Sequence, residues 1–112
     1  MDLRVQAIVI NCTDLPRMTA FWSAALAYGA EGDDDWMSLT DPAGVGVTLS
    51  LQRADGPVGK AEMHLDLVTT DQAGECRRLV DLGATRVRDH HDAADDYVVL
   101  ADPEGNEFCI CL

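Results

Sequence analysis

The sequence predicts an α+β fold in which two tandem βαβββ modules follow one another along 112 residues. Three observations support this fold class: an internal repeat, a proline–glycine turn at the same place in each half, and a two-residue alternation of apolar and polar side chains in the predicted strands. We expect one domain, because half of a chain this short would be too small to fold alone. Its parts are a module at 1–52, a linker at 53–61 and a module at 62–112. The strands are expected to form mostly antiparallel sheet that lines a cavity, with the helices on the outer face.

Each half of the repeat opens with a strand and a helix. Residues 64–71 align with residues 7–14, and both segments are rich in residue types that favour strands. Both segments end in an aspartate, which is a common cap for a helix N-terminus. Apolar residues then recur at spacings of three and four, which predicts helices near 14–28 and 71–82.

A glycine is expected to end each predicted helix. Gly29 and Gly83 both precede an alanine, and glycine is the residue most often found in the left-handed position after a helix. A short strand should follow each glycine, near residues 30–31 in the first half and 85–88 in the second.

The second part of each half contains a strand, a tight turn and a closing strand. Residues 35–42 align with residues 96–103. The turns are Asp-Pro-Ala-Gly at 41–44 and Asp-Pro-Glu-Gly at 102–105, with proline and glycine at positions that tight turns favour. Both modules are therefore expected to have the same strand order.

Alternation within the strands separates a face that packs beneath the helix from a face that does not. In the closing strand, Phe108 and Ile110 are apolar, whereas Glu107 and Cys109 point the other way. The polar faces of two such sheets could enclose a cavity. The side chains predicted to bind a ligand there are Trp36, Thr48, His64, Asp66, Tyr97, Glu107 and Cys109.

The charge and cysteine content restrict the classes of partner and the compartment. A net charge of −12 argues against nucleic acids and anionic membranes as partners. The N-terminal residues lack the basic start and long apolar stretch of a signal peptide. Four cysteines in such a chain indicate reduced thiols, and we expect a cytoplasmic protein.

Several candidate residues allow two interpretations of their role. His64 and Asp66 could act as an acid–base pair or could line a solvated groove. Cys109 could be a nucleophile if a histidine lowered its pKa, or it could be a small apolar side chain. Trp36 and Tyr97 occupy matching repeat positions, where they could stack on a flat ligand or be buried at an interface.

The sequence also resembles a known superfamily. Residues 63–67 and the segment 102–109, with its Asp-Pro-Glu-Gly-Asn turn, are similar to those of the vicinal oxygen chelate superfamily of glyoxalases, bleomycin-resistance proteins and dioxygenases. The likeness spans essentially the whole chain and is greatest to an actinobacterial glyoxalase-like branch. That superfamily contains both enzymes and drug-binding proteins, so the fold alone does not decide the function.

The resemblance implies where a metal would bind. Its ligands come from the opening and closing strands of each module, which here carry Ala7, Thr48, His64 and Cys109. Only His64 matches the ligand pattern, and Glu107 lies two residues before the expected place. The set falls short of the three or four ligands of a catalytic metal, so no cofactor is expected and a divalent metal is the less favoured alternative. Another group of candidate metal ligands, favoured instead as an exposed acidic loop, comprises His90, His91, Asp92, Asp95 and Asp96.

We therefore predict a small-molecule-binding homodimer that needs no metal and sequesters a drug-like or cationic aromatic compound. The alternative is an enzyme of the superfamily, either a metal-dependent lyase, isomerase or dioxygenase, or a metal-free acid–base catalyst that uses His64. A structural or regulatory partner domain is a third possibility that these residues neither favour nor exclude.

Overall fold

A computed structural model describes residues 6–54 and 65–112. The chain divides into two compact units, Met1–Val58 and Gly59–Leu112. Each unit has one helix and a four-stranded mixed sheet in the order strand, helix and three strands, which confirms the predicted α+β class and the βαβββ repeat. Neither helix in the described part of the chain is long and apolar enough to span a membrane.

The first unit has one parallel and two antiparallel strand pairings. Its spatial strand order is β1-β4-β3-β2, with β1 parallel to β4. The elements are β1 (Ala7–Cys12), α1 (Leu15–Leu26), β2 (Gly29–Gly32), β3 (Trp36–Thr40) and β4 (Thr48–Arg53). Arg53, which the sequence placed in the linker, is the last residue of β4, and residues 55–61 of that linker lie outside the described residues.

Helix α1 begins where the sequence predicted and ends earlier. Asp14 is the N-cap, and its side chain accepts a hydrogen bond from the backbone N–H of Arg17. The left-handed residue after the helix is Ala27, with φ of 55°, and not Gly29 as predicted. The carbonyl of Ser23 accepts from the N–H groups of both Ala27 and Tyr28, so the terminal turn closes on Ser23 and leaves Gly29 to begin β2.

The second unit repeats this topology in the spatial order β5-β8-β7-β6, with β5 parallel to β8. Its elements are β5 (Leu65–Val68), α2 (Gln72–Leu82), β6 (Thr85–His91), β7 (Asp96–Ala101) and β8 (Glu107–Cys111). Gly83 caps α2 with φ of 124°, as predicted. Strand β6 runs three residues beyond the predicted 85–88, through a register shift between Arg86 and Arg88.

Each helix packs on one face of the sheet in its own unit. The buried side chains of α1 include Trp22 and Phe21, whose rings meet edge to face at 5.1 Å. The sheet residues they cover are Leu39, Leu49 and Leu51, and their counterparts beneath α2 are Val98, Leu100, Phe108 and Ile110. The apolar half of the predicted alternation is therefore correct for these strand residues, whereas Val47 and Leu112, predicted on the same faces, lie outside the strands and are exposed.

The two predicted turns are present and closely alike. Gly44 and Gly105 have φ of 71° and 86°, and each donates its N–H to the carbonyl of the turn aspartate at 2.9 Å. In each turn a side-chain oxygen of that aspartate, Asp41 or Asp102, accepts the backbone N–H two residues later at 2.9 Å. These turns join β3 to β4 and β7 to β8, and so set the register of the strands that carry the candidate site.

Candidate functional site

The face of the first sheet opposite α1, here called its helix-free face, carries polar and aromatic side chains. Thr48, Ser50 and Gln52 alternate along β4, and the register places Trp36 beside Gln52. Residues paired across a ladder point to the same side of a sheet, so Trp36 and Thr48 share this face as predicted. The face comprises Ala7, Val9, Asn11, Gly29, Glu31, Trp36, Ser38, Thr40, Thr48, Ser50 and Gln52.

Trp36 stands at one end of this face and is held by polar contacts. Its indole Nε1 donates to the hydroxyl of Ser38 at 3.2 Å, and its backbone N–H donates to the carboxylate of Asp33 at 3.0 Å. The adjacent Asp35 accepts two hydrogen bonds from the Arg53 guanidinium, at 2.7 and 3.0 Å. The side chain of Trp36 is 38% exposed, so an anchored indole is available for stacking.

The helix-free face of the second sheet is the side opposite α2, and it carries the remaining described candidates. Asp66 pairs with Cys109 in parallel register, and Glu107 pairs with Ala101. The face comprises Asp66, Val68, Thr85, Arg88, His90, Tyr97, Val99, Ala101, Glu107, Cys109 and Cys111. The six described candidates therefore lie on the predicted faces, whereas His64 lies outside the described residues. Their role in binding stays a prediction.

His90 belongs to this second face, although the sequence placed it in an exposed acidic loop. Its ring stacks on Tyr97 with centroids 4.9 Å apart and planes 17° from parallel. Its Nε2 lies 2.7 Å from a carboxylate oxygen of Asp92. If β6 is extended to His91, an antiparallel hairpin places His90 opposite Tyr97. That pairing is the feature of the sequence that could have predicted the contact.

The two adjacent histidines point to opposite faces. The ring nitrogens of His91 lie 2.7 Å from Asp96 and 3.4 Å from Asp89, and these hydrogen bonds, first that to Asp96, raise the pKa of His91. Arg86 in turn binds Asp89 through two hydrogen bonds of 2.6 and 2.9 Å. His91 thus joins strands β6 and β7 and does not share a side with His90.

Glu107 is partly neutralised by a residue that the sequence did not single out. The guanidinium of Arg88 lies 3.4 Å from its carboxylate, and both side chains are partly exposed. At this distance and exposure the ion pair contributes little to stability. Asp66 and the Arg88–Glu107 pair together leave the second face with a net negative charge.

The environment of Cys109 favours the neutral thiol. Burial raises the pKa of Cys109, and a hydrogen bond to the side chain of Asp66 raises it further. Burial, followed by the negative charges of Asp66 and Asp95, also raises the pKa of Cys111. Because the thiolate is the reactive form, these surroundings argue against Cys109 as a nucleophile near neutral pH.

Among the described residues, the strands do not supply the ligand set that the superfamily resemblance implies for a metal, and His64 lies outside those residues. Ala7 and Thr48 are paired neighbours in the first sheet, so that end offers a methyl group and a neutral hydroxyl. Over 6–54 and 65–112, no group of three or more histidine, cysteine, aspartate or glutamate residues could hold a metal ion. These residues do not fit a three- or four-ligand catalytic metal centre.

Solved structures place this architecture in a broad structural class. A glyoxalase/bleomycin resistance protein/dioxygenase family enzyme from Burkholderia phytofirmans PsJN is similar with a TM-score of 0.80 at 15% identity, over 96% of this chain and 97% of that one. The fosfomycin resistance protein FosX from Listeria monocytogenes, solved with Mn(II) and a dihydroxypropylphosphonic acid, gives 0.80 at 13% identity, over 99% and 90%. A bleomycin-binding protein from Streptomyces verticillus, solved with copper(II)-bleomycin, gives 0.71 at 16% identity, over 99% and 97%. The shared feature is the fold.

The family is shown by the sequence itself. Residues 7–111 match the glyoxalase-like domain family, and the chain belongs to that family. No protein with a curated function matches the chain in sequence.

Proposed function

We propose that this protein binds a planar, cationic aromatic small molecule on the helix-free faces of its sheets, without an obligatory metal. The observation that carries the proposal is the division of each sheet into an apolar face beneath its own helix and a face of polar and aromatic side chains. Polar groups on a sheet face cost free energy on burial unless water or a ligand satisfies them.

Aromatic side chains support a flat ligand. Trp36 is anchored through Ser38, and Tyr97 is backed by the parallel ring of His90. Rings that are already held in place lose little conformational entropy when a ligand stacks on them. Tryptophan is also the strongest partner for a cation above an aromatic ring.

The charge of both faces supports a cationic ligand. Glu31 is the one charged residue among the described strand residues of the first helix-free face. On the second face, Asp66 adds to the Arg88–Glu107 ion pair. The whole chain carries a net charge of −12, so its long-range field attracts cations.

The relatives are compatible with binding and with catalysis, because likeness at these identities concerns the fold. The Streptomyces verticillus protein is a bleomycin-binding protein, whereas FosX was solved with Mn(II). Ala7 has no metal-binding atom, and its neighbour Thr48 offers only a neutral hydroxyl. These two positions therefore favour ligand binding over metal-dependent chemistry in this chain. Membership of the actinobacterial branch and a cytoplasmic location are parts of the same proposal.

Calorimetric titration with a matched pair of probes tests the proposal. N-methylacridinium is planar and cationic, whereas acridine has almost the same shape and is neutral near pH 7.5. We expect N-methylacridinium to bind wild-type protein more tightly than acridine does. Trp36→Ala should weaken binding of the cation at least about tenfold, which corresponds to about 1.4 kcal/mol.

Leu82→Ala is the control variant. Leu82 lies at the end of α2 and is exposed to the same extent as Trp36, 38%. Its replacement should leave the affinity for N-methylacridinium unchanged. Equal affinities of Trp36→Ala and wild type, or equal affinities for the cationic and neutral probes, would contradict the proposal.

A further inference from the structure

Two cysteines form a pair on the second helix-free face. Cys109 and Cys111 lie two residues apart in β8, so their side chains point to the same side, with Cα atoms about 6.6 Å apart. Neither is in a disulfide, and each is partly exposed. A disulfide needs Cβ atoms about 3.8 Å apart, so two residues at this spacing on a regular strand stay as two thiols.

The strand register identifies the neighbours of the cysteine pair on β5 and β7. Asp66 lies opposite Cys109 on β5 and accepts a hydrogen bond from its thiol, and Val99 lies opposite on β7. Tyr97 lies opposite Cys111. Val99 is buried, whereas both cysteines are partly exposed, so the thiols lie where the face passes from buried to exposed residues.

We propose that Cys109 and Cys111 together form a two-coordinate site for a soft, thiol-seeking metal cation, with Cu(I) as the reference ion. In a linear two-coordinate site with metal–sulfur bonds of about 2.3 Å, the two sulfur atoms lie about 4.6 Å apart. Rotation about χ1 brings two same-face cysteine side chains on one strand to that separation, which is far longer than a disulfide bond. Thiolate ligands select soft cations such as Cu(I) over harder ions.

Two-coordinate binding needs no third protein ligand. That distinguishes this site from the catalytic centres of the superfamily, for which the described residues lack a donor set. On binding, each thiol forms one sulfur–copper bond and releases its proton to solvent, so one Cu(I) displaces about two protons and no electron moves. Copper binding at this pair does not require the proposed aromatic ligand, although Cys111 lies opposite Tyr97 on the same face.

Competition with a chromophoric Cu(I) chelator, bathocuproine disulfonate, tests the site under anaerobic and reducing conditions. The background is a Cys12→Ala, Cys76→Ala protein, which leaves Cys109 and Cys111 as the two remaining thiols of the four. We expect this protein to take one Cu(I) per chain and to release about two protons. Adding Cys109→Ser or Cys111→Ser should weaken binding at least about 100-fold, because each removes one arm of a chelate.

Cys12 and Cys76 are buried, so the background is checked by circular dichroism and the comparison is repeated in the wild-type chain. There, Cys109→Ser and Cys111→Ser should each lose affinity, whereas Cys12→Ala should not. Two independent Cu(I) ions per chain in the background protein, or less than about a threefold change in both serine variants, would overturn the proposal. The copper titrations contain no aromatic ligand, so their outcome does not depend on the proposed function.

Discussion

At the scale of single residues, the two turn aspartates show how one motif is used in two environments. Asp102 is 3% exposed and accepts hydrogen bonds from the backbone of Glu104 and from the backbone and side chain of Asn106. Asp41 accepts three backbone N–H groups, and those hydrogen bonds lower its pKa, but it is more exposed. The repeat predicted both turns, whereas the difference in burial required the packed structure.

Replacing these aspartates should separate burial from hydrogen bonding. We expect Asp102→Ala to lower the free energy of unfolding by about 2 kcal/mol, because the donors of Glu104 and Asn106 lose a buried acceptor. Asp41→Ala should have a smaller effect, since water can replace the carboxylate there. Urea denaturation of both variants measures the difference, and equal losses would show that burial of Asp102 is not the cause.

His91 should give the protein a pH-dependent contribution to stability. Its folded pKa is raised above the ordinary value by Asp96 and Asp89, which are themselves bound by Gln72 and Arg86. A raised folded pKa means that the stabilisation is fully present below the unfolded pKa, about 6.5, and is lost as pH rises through the folded pKa.

The measurement is the urea midpoint of wild type and His91→Gln between about pH 5.5 and pH 8. Wild type should lose stability relative to His91→Gln as the pH rises across this window. The depressed pKa values of Asp89 and Asp92 act at lower pH and do not overlap it. Parallel curves for the two proteins would show that the His91 contacts do not stabilise the fold.

At the scale of elements, the existence and order of helices and strands could be predicted, and their ends could not. Helix α1 ends at Leu26 because the carbonyl of Ser23 accepts the N–H groups of both Ala27 and Tyr28. The position of a glycine in the sequence does not reveal which backbone hydrogen bonds close a helix. Strand β6 reaches His91 because the register shift near Val87 lets it keep pairing with β7. The polar composition at 89–91 resembles a loop, so propensity alone gave too short a strand.

The start of α2 offers a test of coupling between a cap and the residue that it binds. Asp71 accepts the N–H of Gly74 at 3.1 Å, and a Cβ at Gly74 would lie within 3 Å of the Asp71 carboxylate. Gly74→Ala alone should therefore change the free energy of unfolding little. The gain of about 1 kcal/mol in helix propensity is offset by loss of the Asp71 cap, which contributes about 1 kcal/mol.

In an Asp71→Ala background the cap is already absent, so the same Gly74→Ala change should stabilise the protein by about 1 kcal/mol. A double-mutant cycle followed by urea denaturation measures the coupling. The same effect of Gly74→Ala in both backgrounds would show that the cap and the glycine are independent.

At the scale of the whole molecule, alternation along the strands predicted which sheet face a candidate residue occupies, but not which residues it contacts. Alternation assigned Trp36, Thr48 and Tyr97 to faces that the register confirms. It did not reveal that Glu107 binds Arg88, nor that His90 backs Tyr97, because both contacts depend on the position of β6, whose pairing with β7 shifts register between Arg86 and Arg88. Contacts between strands are set by packing, which a single sequence does not encode locally.

We predict that the protein is a homodimer in solution. Val9 and Val68 lie on the helix-free faces of edge strands β1 and β5, and they are 49% and 82% exposed. Apolar groups at sheet edges are commonly covered by a partner. Sedimentation at micromolar concentration should give twice the chain mass of 12.1 kDa, and Val9→Lys with Val68→Lys should shift the protein toward the monomer. A wild-type mass of one chain would contradict the prediction.

The central claim, a ligand site on the helix-free faces, is tested most directly by the two indole N–H signals in a nitrogen–proton NMR titration with N-methylacridinium. The chain has two tryptophans: Trp36 on the helix-free face of β3, and Trp22 on the buried side of α1 at 1% exposure. We expect the Trp36 indole signal to move saturably, together with backbone amides of β3 and β4, while the Trp22 signal stays in place. A Trp36 signal that does not move, or shifts confined to α1 and α2, would contradict the account.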